Sequence, residues 1–166
     1  MASPRHLIPR SRTVQQVLEQ AGVVFERRVC GRPTRTAAEA AAALGVAIEA
    51  IVKSLIFMAD DVPVLLLVAG HHRADPGRLG ALLGRSLRQA RGEEVVRATG
   101  FAPGEVPPCG HPERLPTFCD RALLTPGRVW VASGAPAEML GLRPEELVRV
   151  TNAQVVDLAA ESTSSP

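Results

Sequence analysis

Lysine occurs once in these 166 residues and cysteine three times, and no apolar run is long enough to cross a bilayer. The longest such run, 62–69, has Pro63 inside it and falls far short of the roughly 20 residues a spanning helix needs, so it reads as a buried strand. The basic N-terminus has no apolar segment behind it, which argues against a secretory signal and leaves the cytoplasm as the expected location. Cys30, Cys109 and Cys119 are odd in number and unpatterned in spacing, so no disulfide framework is expected. Cys109, His111 and Cys119 lack a Cys-x-x-Cys pair and a fourth ligand; no metal site and no cofactor are expected. Low-complexity stretches are also missing. With 46% hydrophobic and 22% charged residues, the chain falls in the globular range and is long enough for one core.

Charge of one sign is scarce as well. A formal net charge of +2 does not make a nucleic-acid binder by bulk electrostatics, so any such contact must be local. Eighteen of the nineteen cations are arginine, and the exception is Lys53. An ammonium is a compact donor whose charge responds to burial, a task for which arginine is no substitute.

Residues 1–12 carry no periodicity and are expected to be a flexible tail. Thr13 and Gln16 have the spacing of a capping box at the head of a helix over 13–21, and Thr36 and Glu39 repeat it before an alanine-rich helix that ends at Gly45. A strand is expected over 23–30, and a hairpin over 51–59 and 62–69 that turns at Asp60 and Asp61. Asp75 and Pro76 begin a short helix closing on Gly84. A short strand over 86–90 and a short helix over 93–98 follow. Residues 99–112 hold three glycines and four prolines and read as a stiff loop. Strands over 117–120, 128–133, 139–142 and 153–158, with a helix from Pro144, complete the expectation; 159–166 is a second flexible tail. Interspersed helices and two hairpin-like pairs predict a single α+β domain over 13–158, with a mixed, mostly antiparallel sheet flanked by helices.

Alternation places Lys53 with Ile51, Leu55 and Phe57 on one face of its strand, and Ser54 on the other. Both faces are apolar. Such a lysine must snorkel to an edge, pair with a carboxylate or floor a pocket. Gly104 and Pro108 are spaced as GxxxP, where glycine admits backbone N–H groups to a ligand and proline holds that geometry in advance.

Five segments, 51–57, 69–79, 99–108, 114–120 and 129–134, occur in an order that resembles the YbaK/ProX family, free-standing relatives of the editing domain of bacterial prolyl-tRNA synthetases. The resemblance covers about 13–158. It implies a curved sheet and hydrolysis of the ester joining a wrong amino acid to tRNA, typically the tRNA for proline. It also implies Lys53 and Gly104 as catalytic residues, with Phe101, Pro108, His71, Ser133 and Gly134 in substrate binding. The acceptor end of aminoacyl-tRNA would be the partner, with prolyl-tRNA synthetase as a candidate second one. An alanine-specific branch of the family carries asparagine after the lysine where this chain has Ser54, so alanine specificity does not transfer. The alternatives are a non-catalytic module holding an acceptor end, a nucleotide or a synthetase, and a hydrolase of another small acyl ester. Arg27, Arg28, Arg32, Arg35, Arg85, Arg88 and Arg91 are candidates for tRNA phosphates, with a solvated surface as the simpler reading.

Overall fold

The computed structural model describes residues 13–159. The tails expected over 1–12 and 159–166 therefore lie outside the described residues, apart from Ala159, which forms one antiparallel bridge with Ala74.

Local chemistry sets the element ends. In α1 (Val14–Gln20) the Thr13 Oγ1 accepts the Gln16 N–H at 3.1 Å and Gln16 Oε1 accepts the Thr13 N–H at 3.0 Å, satisfying two donors that a helix start leaves over. β1 (Glu26–Val29) is shorter than expected. α2 (Ala37–Leu44) is capped by Thr36 and stops at Gly45, whose φ is 67°. Its capping box is not reciprocal, because the Glu39 carboxylate reaches past Thr36 to accept the Arg35 N–H at 2.7 Å. A 3-10 turn, Ile48–Ala50, that no local signal announces leads into β2 (Val52–Ala59). β3 (Val62–Ala69) pairs with β2 in full register, from Val52 opposite Ala69 to Ala59 opposite Val62. There follow α3 (Pro76–Leu83), β4 (Leu87–Gln89) and α4 (Gly92–Thr99). Beyond the loop come β5 (Thr117–Asp120), a second 3-10 turn (Arg121–Leu124), β6 (Val129–Ala132), β7 (Glu138–Leu142), α5 (Pro144–Thr151) and β8 (Gln154–Val156).

The strands form two sheets. One is mixed, in the order β4-β2-β3-β5-β8, with β5 and β8 joining in parallel; the other, β1-β7-β6, is wholly antiparallel. This is the expected α+β fold, and the sheet divides into two joined by a parallel bridge between Ile51 and Trp130. β3 is buried on both faces: Leu65 and Leu67 pack with Leu18 and Leu147, while Leu66 and Val68 pack with Leu79 and Leu158. An unbroken apolar run is what a strand covered on both sides requires.

Candidate active site

From the Ile51–Trp130 bridge β2 and β6 run in the same direction and part, each into its own sheet. A cavity of about 830 Å³ opens where they diverge. Val52, Lys53, Ser54 and Leu55 of β2 form one wall; Ala132 and residues 134–139 form another, and the lining is completed by the approach to α2 and by Gly104, Glu105 and Val106.

Four consecutive β2 residues line one cavity because that stretch of strand has an open edge. β4 pairs only with Phe57, Met58 and Ala59. Ala90 N–H donates to the Ile56 carbonyl at 3.1 Å, so even-numbered residues of β2 direct their backbone groups away from β3, and the covering strand ends there. Two residues upstream, the Ser54 N–H and carbonyl face that open edge by the same alternation. The cavity wraps the edge and so meets side chains of both faces. Glycine is required at its border: a Cβ on Gly70 would lie 2.4 Å from the Ile48 carbonyl oxygen.

Lys53 stands opposite Val68 in the hairpin register and is half-buried. Its Nζ donates to the His72 carbonyl oxygen. Burial pushes the ammonium below its ordinary value of 10.5; the Arg73 charge pushes the same way and the Asp120 charge opposes them. Asp120, at the end of β5, is 2% exposed. Its Oδ2 accepts the Ala69 N–H at 3.1 Å and lies 2.7 Å from His72 Nδ1, while Oδ1 accepts the Ala122 N–H at 3.1 Å. No nucleophilic thiol serves the cavity from β5, since burial pushes Cys119 up to about 12.

Residues 31–150 match the model of a family described as the aminoacyl-tRNA editing domain. The chain belongs to that family. A crystal structure described as that of a proposed trans-editing enzyme for prolyl tRNA synthetase superposes with a TM-score of 0.79 at 41% identity, covering 96% of this chain and 99% of the other. A second, of a hypothetical protein, superposes with a TM-score of 0.83 at 34% identity over 89% and 99% of the two chains. Among curated proteins, the proline–tRNA ligase of Bacillus subtilis (strain 168) is 37% identical over 90 residues, 54% of this chain and 16% of the ligase. That of Desulfitobacterium hafniense is 31% identical over 138 residues, 80% of this chain and 23% of the ligase. The chain thus spans less than a quarter of the length of these curated relatives.

In this editing domain three of the residues singled out from sequence, Lys53, Gly104 and Gly134, line the cavity together. Gly104 has φ of 87°, open to glycine at no steric cost, and the following Glu105 N–H turns back to the Ala102 carbonyl at 3.0 Å. Phe101 lies behind the wall: its ring comes within 3.2 Å of where a Gly134 Cβ would be, which packs the loop on the β6–β7 turn. Pro108 is buried beside Val106 and Pro107, where it anchors the loop, and His111 Nε2 lies 2.7 Å from the Pro107 carbonyl oxygen. Ser133 is buried and its Oγ accepts the Ala135 N–H at 3.1 Å, holding the turn. His71 is exposed and rests on the His72 ring, 4.0 Å between centroids, outside the lining.

The structure adds residues that spacing did not select. Ser54, assigned to the far face by alternation, borders the cavity at the strand edge, and its Oγ is buried with no hydrogen-bond partner. Glu138 lines it too, paired with Arg27 at 2.6 Å. Of the arginines offered to phosphate, Arg35 lines the cavity, Arg88 is bound at both nitrogens by Glu94, and Arg28 lies over the Trp130 ring.

Proposed function

We propose that this chain is an aminoacyl-tRNA deacylase acting in trans, which hydrolyses the ester of tRNA for proline mischarged with a small amino acid. The observation that carries the reading is the Lys53 ammonium, part-desolvated and held on a carbonyl at the wall of a cavity bordered by the Gly104 loop. An ammonium so held donates to the acceptor-end ribose or to the ester and fixes it for attack. N–H groups of the loop around Gly104 then meet the carbonyl oxygen as it gains charge. The ester is already activated, so water or a neighbouring hydroxyl of the substrate suffices as nucleophile and no Ser-His-Asp arrangement is needed. The Ser54 N–H and carbonyl at the open edge supply polar contacts for the amino-acid part. The acceptor end is the partner in this reading, prolyl-tRNA synthetase a second one, and the cytoplasm the place of action; among the described residues no helix is long and apolar enough to cross a membrane.

The test is single-turnover deacylation of tRNA for proline carrying alanine, cysteine, serine, threonine or proline. Selective release of one non-cognate residue supports the reading and names the substrate. Tight binding of acceptor ends with release from none replaces it with the non-catalytic module.

A further inference from the structure

Asp120 and His72 stand outside the cavity lining, yet together they tie a buried carboxylate of β5 to the turn that holds Lys53. Asp120 is a carboxylate with three partners at 3.1, 2.7 and 3.1 Å, two of them backbone N–H groups. A carboxylate only accepts, so the third partner, His72 Nδ1, carries a proton toward it. The pairing has the form of the acid and imidazole of a hydrolase triad, but the imidazole does not line the cavity, so it has no access to an ester bound there. What the pair does hold is backbone. Ala69 and His72 are the ends of one tight turn, closed by His72 N–H on the Ala69 carbonyl at 2.9 Å, and Asp120 grips both of them. The His72 carbonyl, fixed by that grip, is the acceptor of the Lys53 ammonium.

We propose that Asp120 and His72 are positioning residues for Lys53: the carboxylate and imidazole clamp the β3–α3 turn so that the His72 carbonyl holds the ammonium at the cavity wall. The proposal deepens the deacylase reading and rests on it for its consequence in catalysis, whereas the clamp itself is observable without substrate. Bond by bond, the clamp needs a donor at the Nδ1 position and no more from the imidazole. An asparagine side-chain amide can place a donor there; a leucine cannot.

Because Lys53 is the sole lysine, selective 15N-lysine labelling gives one Nζ resonance, which reports the clamp directly. The experiment follows that resonance against pH in wild type, His72→Leu, His72→Asn and Asp120→Asn, beside single-turnover deacylation by each. His72 has a part-exposed side chain, so its two variants remain testable if Asp120→Asn, which puts an amide among backbone donors, fails to fold. The expected result is loss of the protected Nζ signal and a tenfold or greater fall in rate in His72→Leu, with half-saturation changed less than twofold, and recovery of both in His72→Asn. Folded Asp120→Asn titrates Lys53 at lower pH, its opposing charge being gone. An unchanged Nζ titration in His72→Leu overturns the proposal, as does an equal loss in His72→Leu and His72→Asn, which assigns the effect to the imidazole itself. If wild type deacylates nothing, the function reading fails while the Nζ signal still decides the clamp.

Discussion

Lys53 trades stability for placement. Its folded value lies below that of the unfolded chain, so between the two the unfolded state binds more protons and folding gains stability as pH rises through that window. Below that window the held ammonium is a net cost. Lys53→Met is therefore expected to melt at or above the wild-type temperature while losing turnover, checked by thermal unfolding beside the rate. The same shift predicts that wild-type turnover, corrected for spontaneous ester hydrolysis, falls on the alkaline side with a midpoint below 10.5. Ser54 presents the reverse case of a buried hydroxyl with nothing to bond in the free protein. Removing an unsatisfied polar group is neutral or stabilising, so Ser54→Ala should melt at or above the wild-type temperature in thermal unfolding.

At the scale of elements, the cavity depends on where strands stop. Caps and turns were legible because each is written in a few adjacent residues: Thr13 with Gln16, Asp75 with Pro76, and Asp60 with Asp61 between two apolar runs. The early end of β4 and the parting of β2 from β6 are pairings between distant segments, and no local pattern records them. That is why alternation, which sets Lys53 and Ser54 on opposite faces of β2, did not reveal that one cavity reaches both residues around the strand edge. The contact of the 3-10 turn with the end of β3 is equally non-local and is tight enough to test. Gly70→Ala sets a Cβ against the Ile48 carbonyl and should destabilise by about 1–3 kcal/mol in denaturant unfolding, the cost of forcing backbone apart in a packed site. Thr36→Ala removes the α2 cap beside the cavity, for about 1 kcal/mol.

For the whole molecule, one lysine, the GxxxP loop and the order of five segments sufficed to indicate fold and family, while the supporting pair Asp120 and His72 needed coordinates because 48 positions separate them. A net charge of +2 spreads little field over the surface, and Glu26, Glu94 and Glu138 already pair with Arg28, Arg88 and Arg27. Affinity for uncharged tRNA is accordingly expected to be weak and salt-sensitive in a filter-binding titration; tight binding that persists as salt is raised would contradict this. The deacylase proposal stands or falls with ester hydrolysis driven by Lys53 from the cavity wall. It is tested most directly by comparing Lys53→Ala with wild type in single-turnover deacylation of the one mischarged tRNA that wild type prefers. A fall of at least a hundredfold is expected in a variant that melts like wild type, and a rate within twofold of wild type would remove Lys53 from the mechanism.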